Sequence, residues 1–327
     1  MFISAVALYW ALRGTDPSAI ARAVRGVNPL LLLLSATFVT LTFPARAERQ
    51  RWLLGAATSA RPPWLPVWRA TAIGFMANNV LPLRAGEVAR GYATGRLVGM
   101  PVSTALSAIG VERVFDGIVL MLFLAIGIAA PGFPTGVRIG HAGLGSLAAA
   151  SAGVFVAALV VLALVAHWPQ RFLAPFRAAA HRLLRPPAAG WVIRVADGLV
   201  SGLSVLRRAP DFAWVLVWSL VVWLLNAASY VVAFHAFHLA VPVSTALVLQ
   251  GILALGVSVP SSPGFVGVYE YFCRLTLGAY GVAGSAAAAF AIAVHAAWFV
   301  PITALGFWAL ARAGLSMHDI RASEERA

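Results

Sequence analysis

One cysteine, Cys273, is all the sequence offers, so an internal disulfide is excluded and no cysteine-based metal spacing exists. Charge is almost as scarce: Asp, Glu, Lys and Arg make up 11% of the chain, against 61% hydrophobic residues. That balance, with a mean hydropathy of +0.86, excludes an ordinary soluble domain and indicates an all-α, polytopic integral membrane bundle. Lysine is absent; the 24 basic residues are all arginine, they outnumber 11 acidic residues, and the net charge is +13. In a soluble protein this excess would point to nucleic acid. Here the arginines fall between apolar runs, which fits topology signals and anionic lipid surfaces, so no nucleic-acid partner is expected. No P-loop, Rossmann fingerprint or Ser-His-Asp set is present, and His235, His238 and His295 do not group like metal ligands. Neither a cofactor nor a metal is therefore expected. No basic segment precedes the first apolar run, so no cleavable signal is read.

In chain order, Phe2–Leu12 is a short first span, which leaves either a start upstream or half of a tilted helix. Pro17–Val27 is an amphipathic link. Leu30–Phe43 extends as a second span to about Ala45 and ends at the basic run Arg46, Arg49 and Arg51, so 46–61 reads as a basic loop. Trp52, Trp64 and Trp68 sit at this junction, where aromatic side chains commonly lie at headgroup level. Pro66–Leu83 is only marginally long enough to cross. Val102–Ala129 and Leu144–Ala166 are full spans, separated by the turn-rich loop Pro131–Gly140. Arg171–Asp211 is a basic, cytoplasmic interruption in which Phe172–Leu184 and Trp191–Leu206 are surface helices or a solvated connector. Phe212–Leu239, Val243–Val259, Val266–Tyr280 and Ala283–Ala311 are the remaining apolar segments. Residues 1–315 read as one transmembrane domain, and 316–327 as a polar tail.

Loop parity constrains the path. If 46–61, 171–208 and the tail share one side, 64–98 must cross an even number of times, as a re-entrant hairpin with its tip at Pro82–Gly86 or as two full crossings. The same count makes 243–282 a second hairpin with its tip at Pro260–Gly264, entering from the opposite side, or again two full crossings. About six full spans and two broken hairpins result, an arrangement expected of an inverted repeat in a transporter. The hexapeptide PVSTAL occurs at 101–106 and again at 242–247. It precedes a full span once and a hairpin once, so it reads as a reused helix start rather than an alignment of the halves.

One stretch stands out. Asn78–Asp116 brings Arg84, Glu87, Arg90, Arg96, Glu112, Arg113 and Asp116 into an otherwise apolar chain. Pro82 and Gly86 flank Arg84, so the backbone breaks there and a helix restarts near Glu87. Glu87 and Arg90 then share a face, as do Glu112 and Asp116. Glu112–Asp116 lie roughly 10–14 residues into their span, or about 15–20 Å deep, near a bilayer centre. Charge there costs several kcal/mol, so such groups pair, face a cavity or carry function.

The run NNVLPLRAGEVAR, the segment VERVFDG and the later VPSSPGFVGVYE together resemble the flippase-like transmembrane domain of the lysylphosphatidylglycerol synthase family. The resemblance spans nearly the whole chain, from the RWLLGA junction to the last span. It implies a multi-pass inner-membrane protein that handles phospholipids or lipid-linked compounds. Members with synthase activity add a soluble aminoacyl-transferase domain after the membrane part. This sequence ends at Ala327, so aminoacyl-lipid synthesis is not expected.

The candidate headgroup and cavity residues are Asn79, Arg84, Glu87, Arg90, Glu112, Arg113, Asp116, Ser261, Ser262, Tyr269 and Glu270. Arg84, Arg90 and Arg113 would present guanidinium forks to a lipid phosphate, or simply neutralise Glu87, Glu112 and Asp116. Glu87, Glu112, Asp116 and Glu270 would hold a headgroup amine, bind a coupling proton or orient the arginines. Asn78, Asn79, Ser261 and Ser262 lie at broken helix ends whose free backbone groups need partners. Tyr269, Tyr271 and Trp298 read more readily as packing or interface residues. Three functions follow: a lipid transporter, a membrane-embedded headgroup transferase using Glu87 with Glu112, or a scaffold for a lipid-modifying enzyme. A phospholipid or lipid-linked substrate is the expected partner, with a homo-oligomer or a lipid-modifying enzyme compatible beside it.

Overall fold

The protein is represented by a computed structural model that describes residues 2–58, 60–81, 85–136, 138–139, 142–143, 167–202, 209–257 and 262–320, with isolated positions between 153 and 165. The expected span 144–166 and the positions Pro82, Leu83, Arg84, Pro260 and Ser261 lie outside these residues or only partly within them. The chain is an all-helical membrane bundle. Beyond the helices, the described residues hold one two-residue antiparallel ladder, Arg138–Ile139 against Ala142–Gly143.

The short helix α1 (Phe2–Leu12) is followed by α2 (Pro17–Arg25), which starts where a start is chemically encoded. Pro17 occupies its first turn, and Asp16 accepts from Ser18 N at 2.8 Å. Then α3 (Pro29–Thr58), α4 (Trp64–Val80), α5 (Gly86–Val98) and α6 (Val102–Ala129) follow with 30, 17, 13 and 28 residues. The middle segments are α7 (Pro169–Leu183) and α8 (Pro186–Gly202), both opened by proline. The order long, short, short, long recurs in α9 (Ala209–Ala236), α10 (Thr245–Val257), α11 (Val268–Ala279) and α12 (Gly284–Arg312), of 28, 13, 12 and 29 residues. Among the described residues three helices, at Pro29–Ala56, Pro210–Ala236 and Gly284–Arg312, are long and apolar enough to cross a membrane. The 28-residue α6 is as long, but it carries Glu112, Arg113 and Asp116.

The two short-helix hairpins enter from opposite ends. Asn28 N donates to Ala236 O at 2.9 Å, so the start of α3 lies beside the end of α9. The hairpin α4–α5 therefore enters from the Thr58 end, where Arg51 Nε reaches Pro62 O at 2.8 Å. The hairpin α10–α11 enters from the other end, and a one-turn 3₁₀ segment, Pro263–Phe265, lies at its tip. The tips meet: a Cβ placed on Gly264, which has φ +65°, would lie 3.4 Å from Asn79 O and 2.6 Å from Phe299 Cε2. Both copies of PVSTAL open a helix, with Thr104 N on Pro101 O at 3.0 Å and Thr245 N on Pro242 O at 2.9 Å.

Packing follows a membrane logic. Leu30, Leu33, Leu34, Leu224, Val300 and Phe307 stand exposed on the outside, while Arg49, Arg90 and Glu112 are buried. An apolar exterior needs no burial against protein when lipid is the solvent. Within the first hairpin, Gly74 and Gly86 let α4 and α5 touch backbone to backbone. A Cβ on Gly74 would sit 2.5 Å from Arg90 Cβ, and one on Gly86 would collide with Gly74 O.

Two expectations are corrected. The second span does not end at Ala45; α3 continues through Pro44 and the basic run to Thr58. The run is not a loop because Arg46 and Arg49 turn inward, to carboxylates of α6, where a solvated loop would take these buried partners away. The surface helices expected at 172–184 and 191–206 begin earlier, at Pro169 and Pro186, and Arg177 Nη2 joins them through Asp197 Oδ1 at 2.7 Å. In addition, α8 packs against α6 and α3.

Candidate functional site

The sequence of α6 places Glu112 and Asp116 one turn apart, on the face turned into the bundle. Four arginines from three helices converge on them. From α3, Arg49 gives Nη1 to Asp116 Oδ1 at 2.6 Å and lies with Nη2 3.0 Å from Glu112 Oε1. From α5, Arg90 makes a bidentate pair with Glu112, at 2.8 and 2.9 Å. From α6 itself, Arg113 lies 3.1 Å from Glu112 Oε1, 3.3 Å from Asp116 Oδ2 and 3.3 Å from Glu87 Oε1. Arg46, one turn before Arg49, comes only to 4.0 Å from Asp116 Oδ2.

Neutral groups complete the frame. Gln50 Oε1 accepts from Arg90 Nε and Nη2 at 3.2 and 2.8 Å, and from Thr71 Oγ1 at 3.3 Å. Ser219 Oγ accepts from Arg49 at 3.0 Å, and Trp223 Nε1 donates to Asp116 Oδ1 at 2.8 Å, both from α9. The cluster thus ties α3, α5, α6 and α9 together.

Its interior and rim differ. The side chains of Arg49 and Glu112 are fully buried, whereas Arg113 and Glu87 are 40% and 38% exposed. Four guanidinium groups face three carboxylates, Glu87, Glu112 and Asp116, so one positive charge is in excess. Arg46 is the most loosely paired of the four, at 4.0 Å from Asp116 Oδ2. Its side chain is 6% exposed, its Nε and Nη1 have no hydrogen-bond partner among the described residues, and its guanidinium lies 5.0 and 5.3 Å from the rings of Phe75 and Trp223. A guanidinium with free donors beside aromatic faces has the chemistry to pair with an oxyanion.

The structure therefore brings together Glu87, Arg90, Glu112, Arg113 and Asp116. Arg84 and Ser261 fall outside the described residues. Asn78 and Asn79 serve the tip: Asn78 Oδ1 accepts from Gly86 N at 3.0 Å, and Asn79 Nδ2 donates to Thr303 Oγ1 on α12 at 2.9 Å. Ser262, Tyr269 and Glu270 belong to the second repeat. Ser262 N donates to Ser4 Oγ at 2.7 Å, and Glu270 pairs with His295. Tyr269 is buried, 4.3 Å from the His295 ring.

Arg46, Arg49, Gln50, Ser219 and Trp223 were not legible as site residues from charge grouping. A signal was nonetheless there. Phe43, Arg46, Ala47, Gln50, Leu53 and Leu54 are spaced three and four apart, one continuous buried helical face.

Comparison with known sequences bears on this arrangement. Residues 1–306 match the family model described as the lysylphosphatidylglycerol synthase TM region. The chain belongs to that family. Among its relatives is a protein called Glycosyltransferase AglD, from Haloferax volcanii, 27% identical over 86% of this chain and 48% of that protein. The chain thus spans about half the length of AglD. A UPF0104 membrane protein from Methanothermobacter thermautotrophicus is 24% identical over 89% of this chain and 85% of its own length. No solved structure matches.

Proposed function

We propose that the protein binds the anionic headgroup of a phospholipid or lipid-linked compound at the arginine cluster and moves it between leaflets of the cell's plasma (inner) membrane. The observation that carries this reading is Arg46, buried and loosely paired, with two donor nitrogens unused. A phosphate accepts two guanidinium bonds in a fork geometry that a point charge does not provide. Residues 1–315 then act as one transmembrane unit, with the 171–211 segment on the cytoplasmic face. The headgroup enters past Glu87 and Arg113, the exposed rim. Its acyl tails remain in lipid, against the apolar exterior of the bundle.

The likeness to AglD favours a second reading, in which the cluster holds a lipid for an enzyme that modifies its headgroup. On that reading the protein is a scaffold and moves nothing itself. Purified protein in vesicles carrying a fluorescent phospholipid separates the two. The transport reading expects the wild type to bring outer-leaflet label into equilibrium with the inner leaflet, and Arg113→Gln and Glu87→Gln to slow it. Wild-type vesicles no faster than protein-free ones would reject transport. Full movement in both variants would reduce the rim charges to a structural role.

A further inference from the structure

The second repeat buries an acid–base pair that the arginine cluster does not use. His295 Nδ1 lies 2.6 Å from Glu270 Oε1, with the two side chains 14% and 7% exposed. The other oxygen, Glu270 Oε2, accepts from Gly267 N at 2.6 Å. One carboxylate therefore holds the imidazole and also closes the first turn of α11, at the base of the hairpin tip.

Among the described residues, no fixed charge satisfies Glu270. Tyr269 and Cys273 come from α11 itself, and Tyr230 from α9, its hydroxyl 3.5 Å from that of Tyr269. From α1 the neighbour is the hydroxyl of Ser4, on Ser262 N. Arg274, the guanidinium of α11, turns away to the carbonyls of Trp10, Ala11 and Arg13 at 3.0, 2.7 and 3.0 Å. Among the described residues, His295 is the one ion-pair partner of Glu270.

The pair is wired to both tips along a single helix face. His295, Phe299 and Thr303 stand four residues apart on α12, one above the other. His295 meets Glu270, Phe299 covers Gly264 at the second tip, and Thr303 receives Asn79 from the first.

We propose that Glu270 and His295 form a proton-binding site that sets the packing of the two hairpin tips and couples proton binding to headgroup movement. The coupling rests on the transport reading above; the proton site does not. With His295 neutral and donating Nδ1–H to Oε1, the pair carries one negative charge. A proton taken from water onto Nε2 gives an imidazolium–carboxylate pair of zero net charge, and no covalent bond to carbon changes. In apolar surroundings the neutral, charge-assisted pair is the tighter one, and a lone carboxylate is costly. Acid therefore clamps α12 on α11, and loss of the proton releases Phe299 and Thr303 from the tips.

Cysteine labelling reads the site without transport. Val266, beside the tip, is 43% exposed, and Leu183 on α7 is 82% exposed as a remote reference. The ratio of Val266→Cys to Leu183→Cys labelling by a water-soluble maleimide is followed from about pH 5 to pH 8 in purified protein, which cancels the reagent's own pH dependence. We expect the ratio to rise several-fold with pH, and to be flat in Glu270→Gln and in His295→Gln. A flat wild-type ratio overturns the proton site, as does a rise that survives in either folded variant. Should neither variant fold, the wild-type profile decides alone. Labelled phospholipid in vesicles under an imposed pH gradient tests the coupling. A rise in labelling with movement indifferent to the gradient overturns the coupling. A rise with no lipid movement at all keeps the site and rejects the transport reading.

Discussion

In the first repeat, seven charged side chains from α3, α5 and α6 share one cluster, five of them buried, whereas the second repeat buries a single carboxylate, Glu270, against a single imidazole. The frames that carry them match in order and length. What differs is the chemistry placed inside. Guanidinium groups keep their charge at every pH a cell meets, so a cluster of them is a fixed receptor for anions. An imidazole beside a carboxylate is the opposite, a pair that can take up or give back a proton. On this account one copy of the frame keeps the constant charge that binds and the other the variable charge that switches. The meeting of the tips at Asn79, Gly264 and Thr303 links the two copies.

The comparison can be broken most forcefully at Arg49. It pairs with both Glu112 and Asp116 from a fully buried position, so Arg49→Met leaves two carboxylates facing each other with fewer partners. The expected loss is about 3–5 kcal/mol, read as unfolding of detergent-solubilised protein in denaturant. Glu112→Gln in the same background should cost less than the two single changes added together, because the cluster acts as a unit. Strict additivity would mean that the cluster is only a set of independent pairs.

Next in size is the contact that brings Arg90 to the cluster. A side chain on Gly86 would collide with Gly74 O, so Gly86→Ala should push α4 from α5 and lower stability by about 1–3 kcal/mol. Unchanged unfolding would show that the hairpin has room to spare. Smaller again is Glu270→Gln, which turns a charge-assisted bond to His295 into a neutral one, at about 1 kcal/mol by the same unfolding measurement. A loss as large as that of Arg49→Met would contradict the contrast between a saturated cluster and a single pair.

The repeat frame was legible because its punctuation is chemical. Helix starts carry proline, as at Pro17, Pro29 and Pro101, and hydropathy places α6 and α12 to within one residue but α9 three residues late at both ends. Half of the cluster was legible too, since Glu87, Arg90, Glu112, Arg113 and Asp116 stand out against apolar neighbours. Arg46 and Arg49 did not, because arginines at the end of an apolar run ordinarily mark a membrane boundary. Only the three-and-four spacing with Phe43, Gln50 and Leu53 separates a buried basic face from a solvated one, and the carboxylates that decide between them lie more than 60 residues away, with |i−j| of 67 for Arg49 and Asp116. The Glu270–His295 pair was illegible for the same reason: the partners come from different helices, and no local pattern joins them.

The most direct test is Arg46→Gln, measured twice on one preparation. The account holds that Arg46 is placed for a ligand rather than for the fold, since it approaches Asp116 only to 4.0 Å and leaves two donors unused. Unfolding should therefore stay within about 1 kcal/mol of wild type, the lost ring contacts being offset by relief of the loosely paired charge. Movement of labelled phospholipid in reconstituted vesicles should fall about tenfold or more, the effect of losing a charged hydrogen bond worth about 1.5–3 kcal/mol to the headgroup. A variant that is several kcal/mol less stable while moving lipid at the wild-type rate would contradict the account, and would make Arg46 one more structural member of the cluster.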